Sequence, residues 1–94
     1  MSDKLERDIL RGQRAANLLD DDMVKEAFAH IESELWRKFK ELPPSATKDL
    51  EFVKGMQYLS VKFRAFFEQA VVNGKLASIN LEAKKKSLKE RVFG

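Results

Sequence analysis

A chain of 94 residues without a single cysteine makes one domain at most and excludes a disulfide framework and any thiolate metal site. Charged residues make up 35% and hydrophobic ones 44%, with few Gly and Pro, a balance that suits a helical protein rather than a disordered one. The net charge of +3 is unevenly placed: after Gly74 six basic residues stand against two acidic ones, while the remainder holds twelve against thirteen, so the basic character belongs to the tail.

Ser2 or Asp3 can cap a first helix running to about Leu19, with Leu5, Ile9, Ala16 and Leu19 at helical spacing. Gly12 sits where that stripe would otherwise carry a side chain. A helix-interior glycine costs about 1 kcal/mol against alanine, so either another backbone approaches closely there or the helix is weak at that point. Asp20-Asp21-Asp22 is the clearest boundary: aspartate accepts from free N–H groups at a helix start and suits the positive end of its dipole. A second helix is expected from Asp21 or Asp22, with Val24, Phe28, Ile31, Leu35, Phe39 (or Lys38) and Leu42 along its apolar stripe.

Leu42-Pro43-Pro44-Ser45 stops that helix, since proline disfavours helical geometry in the residue before it and donates no hydrogen bond. Ser45 or Thr47 then caps a third helix, expected to reach about Asn73-Gly74, a pair that tolerates the left-handed stop. Phe52, Met56, Leu59, Phe63, Phe66 and Ala70 alternate steps of four and three, the seam of a helix meant to lie along other helices. A short link between two long helices makes them antiparallel neighbours.

The expected fold is therefore all-α, an antiparallel helical hairpin of two long helices with a flanking N-terminal helix and a basic C-terminal helix. As one domain over 1–94, it divides into an N-terminal helix (1–20), a hairpin core (21–73) and a basic tail (74–94). Phe28, Ile31, Leu35, Phe63 and Phe66 are expected to hold the hairpin, and Phe63→Ala to cost about 3–5 kcal/mol. The apolar material is wider than one hairpin interface, which makes Trp36, Phe67 and Val71 candidates for contact with a protein partner, either a second copy or a larger assembly.

Little in the chain carries chemistry. Glu26, His30 and Glu34 share one helix face at i, i+4 and i+8, but the di-iron helix pattern wants Glu three residues before His, and that position is Ala27. No Gly-rich loop is followed by the Lys-Ser/Thr pair of a phosphate-binding loop. The serines have one histidine in the whole chain to serve them, His30. The expectation is no enzyme, no catalytic residues, no cofactor, no metal and no small-molecule substrate. Lys84, Lys85, Lys86, Lys89 and Arg91 are candidates for salt-sensitive nucleic-acid contact, without an interleaved aromatic for base stacking. Arg7, Arg11 and Arg14 line one face of the first helix, partly neutralised by Asp3 and Asp8, and could pair with Asp20–Asp22 of another copy. No apolar run approaches the roughly 18 residues of a membrane span, and Met1-Ser2-Asp3-Lys4 opens no secretion signal. No membrane partner is expected.

Arg11-Gly12, Ala15, Leu18-Leu19, Asp20-Asp21, Glu26-Ala27-Phe28 and Glu32-x-Glu34-Leu35-Trp36, followed by a Pro-containing turn and Gly74-Lys75-Leu76, resemble small helical proteins encoded in phage and prophage genomes. Those relatives favour Pro just inside the second helix, where this chain has Asp22. The resemblance, over about residues 11–77, implies a role in a virion or its assembly and a place in the host cytoplasm or the particle; it carries over no site residues. Two other classes are a nucleic-acid-binding or regulatory module using the lysine tail and a small inhibitor of a host enzyme.

Overall fold

The computed structural model describes residues 2–93, with side chains from Asp3 to Val92, so Ser2 as a cap and the Phe93 ring lie outside what is described. Among these residues the chain is all-α, with α1 (Ser2–Asp20), α2 (Asp22–Glu41) and α3 (Thr47–Phe93) and no strand. The α1–α2 junction is a single extended residue, Asp21. Its carboxylate accepts from the backbone N–H of Met23 at 2.8 Å and of Val24 at 3.2 Å, occupying two of the free donors of α2. At the other end of α2, Leu42 is extended, as the residue before proline must be. The Pro43 carbonyl accepts from Ala46 N–H at 3.0 Å, and the Ala46 carbonyl accepts from Leu50 N–H at 2.9 Å, starting α3.

α3 is one unbroken helix to Phe93. This corrects the expected stop at Asn73-Gly74 and the separate basic C-terminal helix. No glycine in the described chain adopts a positive φ, so Gly74 does not take the left-handed conformation that would end a helix there. Its missing side chain serves packing instead.

The chain packs as two compact units, both drawing on α3. The first joins Met1–Leu18 to Phe67–Gly94. Its buried residues are all small: Gly12 and Ala15 on α1, Ala70, Gly74 and Ala77 on α3, with Leu5, Ile9, Phe67, Val71 and Leu81 half-buried around them. A Cβ built on Gly12 would lie 2.9 Å from the Gly74 Cα and 3.0 Å from the Ala70 carbonyl oxygen. One built on Gly74 would meet the Gly12 Cα at 2.9 Å and the Asp8 carbonyl oxygen at 3.0 Å. Of the two readings open for Gly12, close approach of another backbone is therefore the observed one.

The second unit is Leu19–Phe66. Here the covered residues of α2 are Phe28, buried, and Val24, Glu34 and Leu35, partly so, with the C-cap Leu42 also partly covered. On α3 they are Val53, buried, with Leu50, Ser60 and Arg64 partly covered. The Arg64 guanidinium lies 4.7 Å from the centre of the Phe28 ring and reaches Glu32 at 3.6 Å. The arginine stem thus covers apolar surface while its charge stays at the edge. The Phe28 and Phe63 rings meet at 6.0 Å, tilted by 51°.

Candidate interaction surface

The expected α3 seam is largely outside. Phe52, Leu59, Phe63 and Phe66 are 68%, 60%, 62% and 60% exposed and Met56 is 43% exposed. The reason is rotational. α3 carries two apolar rows about one residue apart, or roughly 100° around the axis, and the row covered in this unit is the one through Leu50, Val53, Ser60 and Arg64. Phe63, at the margin, meets Phe28 by its ring, and Phe66 is exposed to a similar degree. Neither is a core residue of the kind the sequence suggested.

Beside this row is Gly55, three residues after Phe52 and four before Leu59, hence between them on one helix surface. Nothing lies within 4 Å of a Cβ built there. On α2, Ile31 and Phe39 are also exposed. Trp36 stands on the outer surface of α2, stacked on Phe39 with centroids 5.5 Å apart and planes 17° apart, and Lys40 Nζ lies 5.7 Å from its ring centre. The structure places Phe67 and Val71 differently from Trp36: both are half-buried in the unit that contains α1.

Lys84, Lys85, Lys86, Lys89 and Arg91 are all exposed on the last turns of α3. Three consecutive lysines on a helix point about 100° apart, so they ring the axis rather than line one face. Glu26 and His30 are exposed. Glu34 is engaged by Arg37, whose guanidinium donates to it at 2.8 Å and to Glu41 at 3.0 Å. That hydrogen bond, and then the arginine charge, hold the Glu34 carboxyl below its ordinary value, while the hydrogen bonds to Glu34 and Glu41, and then their charges, raise Arg37. Among the described residues no group of three or more His, Cys, Asp or Glu is placed to hold a metal ion. A recess of about 210 Å³ near the α2–α3 turn is lined by Lys38, Glu41, Leu42, Asp49, Phe52 and Val53, below the usual size of a small-molecule site. No described helix is long and apolar enough to cross a membrane.

Periodicity found the exposed row but assigned it to the core. Gly55 carries no such signal in the sequence, because a lone glycine in a helix points to contact only once its surroundings are known. Comparison with protein-family models, curated proteins and solved structures gives no match.

Proposed function

We propose that this chain is a non-enzymatic helical interaction protein, a component of a phage-related particle or of its assembly, that self-associates or docks on a larger protein through helix faces. In this reading α2 and the first half of α3 form an antiparallel hairpin that presents its outer α3 row to the partner. The observation that carries it is the exposure of Phe52, Met56, Leu59, Phe63 and Phe66 in one row of four-and-three steps. Large side chains in such a row cost solvation free energy unless a partner covers them. The resemblance to small phage-encoded helical proteins supplies the setting, in the host cytoplasm or the virion.

A double substitution, Leu59→Glu with Phe66→Glu, tests this. Wild-type protein is expected in a species heavier than 10.8 kDa, either alone or co-sedimenting with assembled particles, and the variant at monomer mass with an unchanged helical circular dichroism spectrum. Wild-type protein at monomer mass that sediments with no particle overturns the reading.

A second reading rests on the exposed lysines at the end of α3: phosphate-backbone contact with nucleic acid, salt-sensitive and indifferent to sequence. Their spread around the axis suits weak, non-directional attraction better than a groove-binding face.

A further inference from the structure

We infer that the partner covering the outer row of α3 is a second copy of this chain, seated on the same row, with Gly55 as the point of closest helix approach. This rests on the proposed docking role and names its occupant.

Three observations converge. The first is the use this chain makes of its other helix-interior glycines. Gly12 and Gly74 face each other so closely that a Cβ on either would come within 3.0 Å of backbone, letting two helices meet main chain to main chain. Gly55 has the same place in a helix interior and open space over it. Within one copy its lack of a side chain only weakens α3. Against a neighbouring helix it becomes a hollow between Phe52 and Leu59 into which that helix can settle.

The second is area. At roughly 200 Å² for each large apolar side chain, the exposed fractions of Phe52, Met56, Leu59, Phe63 and Phe66 leave about 600 Å² of apolar surface on the row. A standard interface buries about 800 Å² on each partner. A two-fold pair of identical rows therefore buries about 1,200 Å² in all, the lower end of the range for a specific interface.

The third is charge. Residues 19–66 hold eight basic and nine acidic side chains, so two copies of this unit meet without net repulsion. The near-zero net charge of the unit gives it no strong overall attraction for a nucleic acid or a strongly charged protein.

Sedimentation equilibrium of full-length protein from micromolar to submillimolar concentration tests the inference with two variants. Leu59→Glu changes an exposed side chain in the row. Gly55→Leu fills open space with a better helix former. The expected result is a monomer–dimer equilibrium for wild type, a monomer for Leu59→Glu, and for Gly55→Leu a dissociation constant raised at least about tenfold. At the lowest concentration Gly55→Leu is also expected to melt higher than wild type. Stability and association moving in opposite directions is the signature, since a merely structural glycine moves only the first. Wild type at monomer mass throughout overturns the second copy as occupant. If that monomer still co-sediments with particles, the docking role stands and this inference falls. Loss of association in Leu59→Glu with none in Gly55→Leu overturns Gly55 as the point of approach; retention of association by both variants overturns the row itself.

Discussion

Alanine at Gly12 and alanine at Gly55 should have opposite effects on stability, although both fill a glycine in a helix interior. The intrinsic gain is the same, about 1 kcal/mol for each. At Gly55 nothing opposes it, because the added methyl meets nothing within 4 Å. At Gly12 the methyl would sit 2.9 Å from the Gly74 Cα and 3.0 Å from the Ala70 carbonyl oxygen. Carbon–carbon contacts are comfortable only at about 3.5–4.0 Å, and a gap of roughly 0.5–1 Å forfeits a quarter to a half of each contact. Both obstructing atoms are backbone, so relief comes by parting α1 from α3, which loosens Ala15, Ala70 and Ala77 as well. Overpacking of this kind costs about 1–3 kcal/mol. With a cost of about 2 kcal/mol, Gly12→Ala ends near 1 kcal/mol less stable than wild type and Gly55→Ala near 1 kcal/mol more stable. Thermal unfolding followed by circular dichroism at low protein concentration should separate the two variants by about 10 °C for a domain of this size. Gly74→Ala should resemble Gly12→Ala, and the pair should cost less than the sum, since one separation relieves both. Equal stabilisation by Gly12→Ala and Gly55→Ala would refute the close crossing of α1 and α3.

Phe28→Ala should destabilise by about 3–5 kcal/mol, the range for a buried ring, whereas Phe63→Ala, at a residue 62% exposed whose ring meets Phe28, should cost about 1 kcal/mol; urea titration of both variants checks the contrast. Glu34 is held below its ordinary pKa by Arg37, so its contribution is present above the unfolded value of 4.5 and is lost as pH falls through the lower folded one. Melting temperatures measured from neutral pH downward should therefore fall slightly less for Glu34→Gln than for wild type, and a larger fall in the variant contradicts the pairing. Replacing Lys84, Lys85 and Lys86 by glutamine should leave the melting temperature unchanged, because all three are exposed, while lowering retention on an anionic resin at low salt. A drop in stability would show that those side chains pack.

Local signals in the sequence were reliable where short-range chemistry decides. Asp21 caps α2 because a carboxylate beside free N–H groups needs no tertiary help, and Leu42-Pro43-Pro44 ends α2 for steric reasons that hold in any fold. Gly74 was misleading: Asn73-Gly74 is a good helix stop in isolation, but contact with Gly12 rewards keeping it helical. The α3 seam failed for a related reason. Two apolar rows lie side by side, and the one with the cleaner hydrophobic pattern is outside. The covered row includes Ser60 and Arg64, polar letters that periodicity counts against it. Only the structure shows that Arg64 spans the Phe28 ring and pairs with Glu32. For the candidate surface, Trp36 stands out as apolar excess and is exposed, while Phe67 and Val71, singled out for the same reason, lie half-buried in the unit with α1; the exposed row reads in the sequence as hairpin seam.

If copies of the chain meet through the outer row of α3, dilution must uncover that row. Backbone amide chemical shifts of isotope-labelled wild-type protein across a dilution series test it most directly. Concentration-dependent shifts are expected between Phe52 and Phe66, with Gly55 among the largest. Shifts that do not change with concentration, or that change only around Lys84–Arg91, would contradict it.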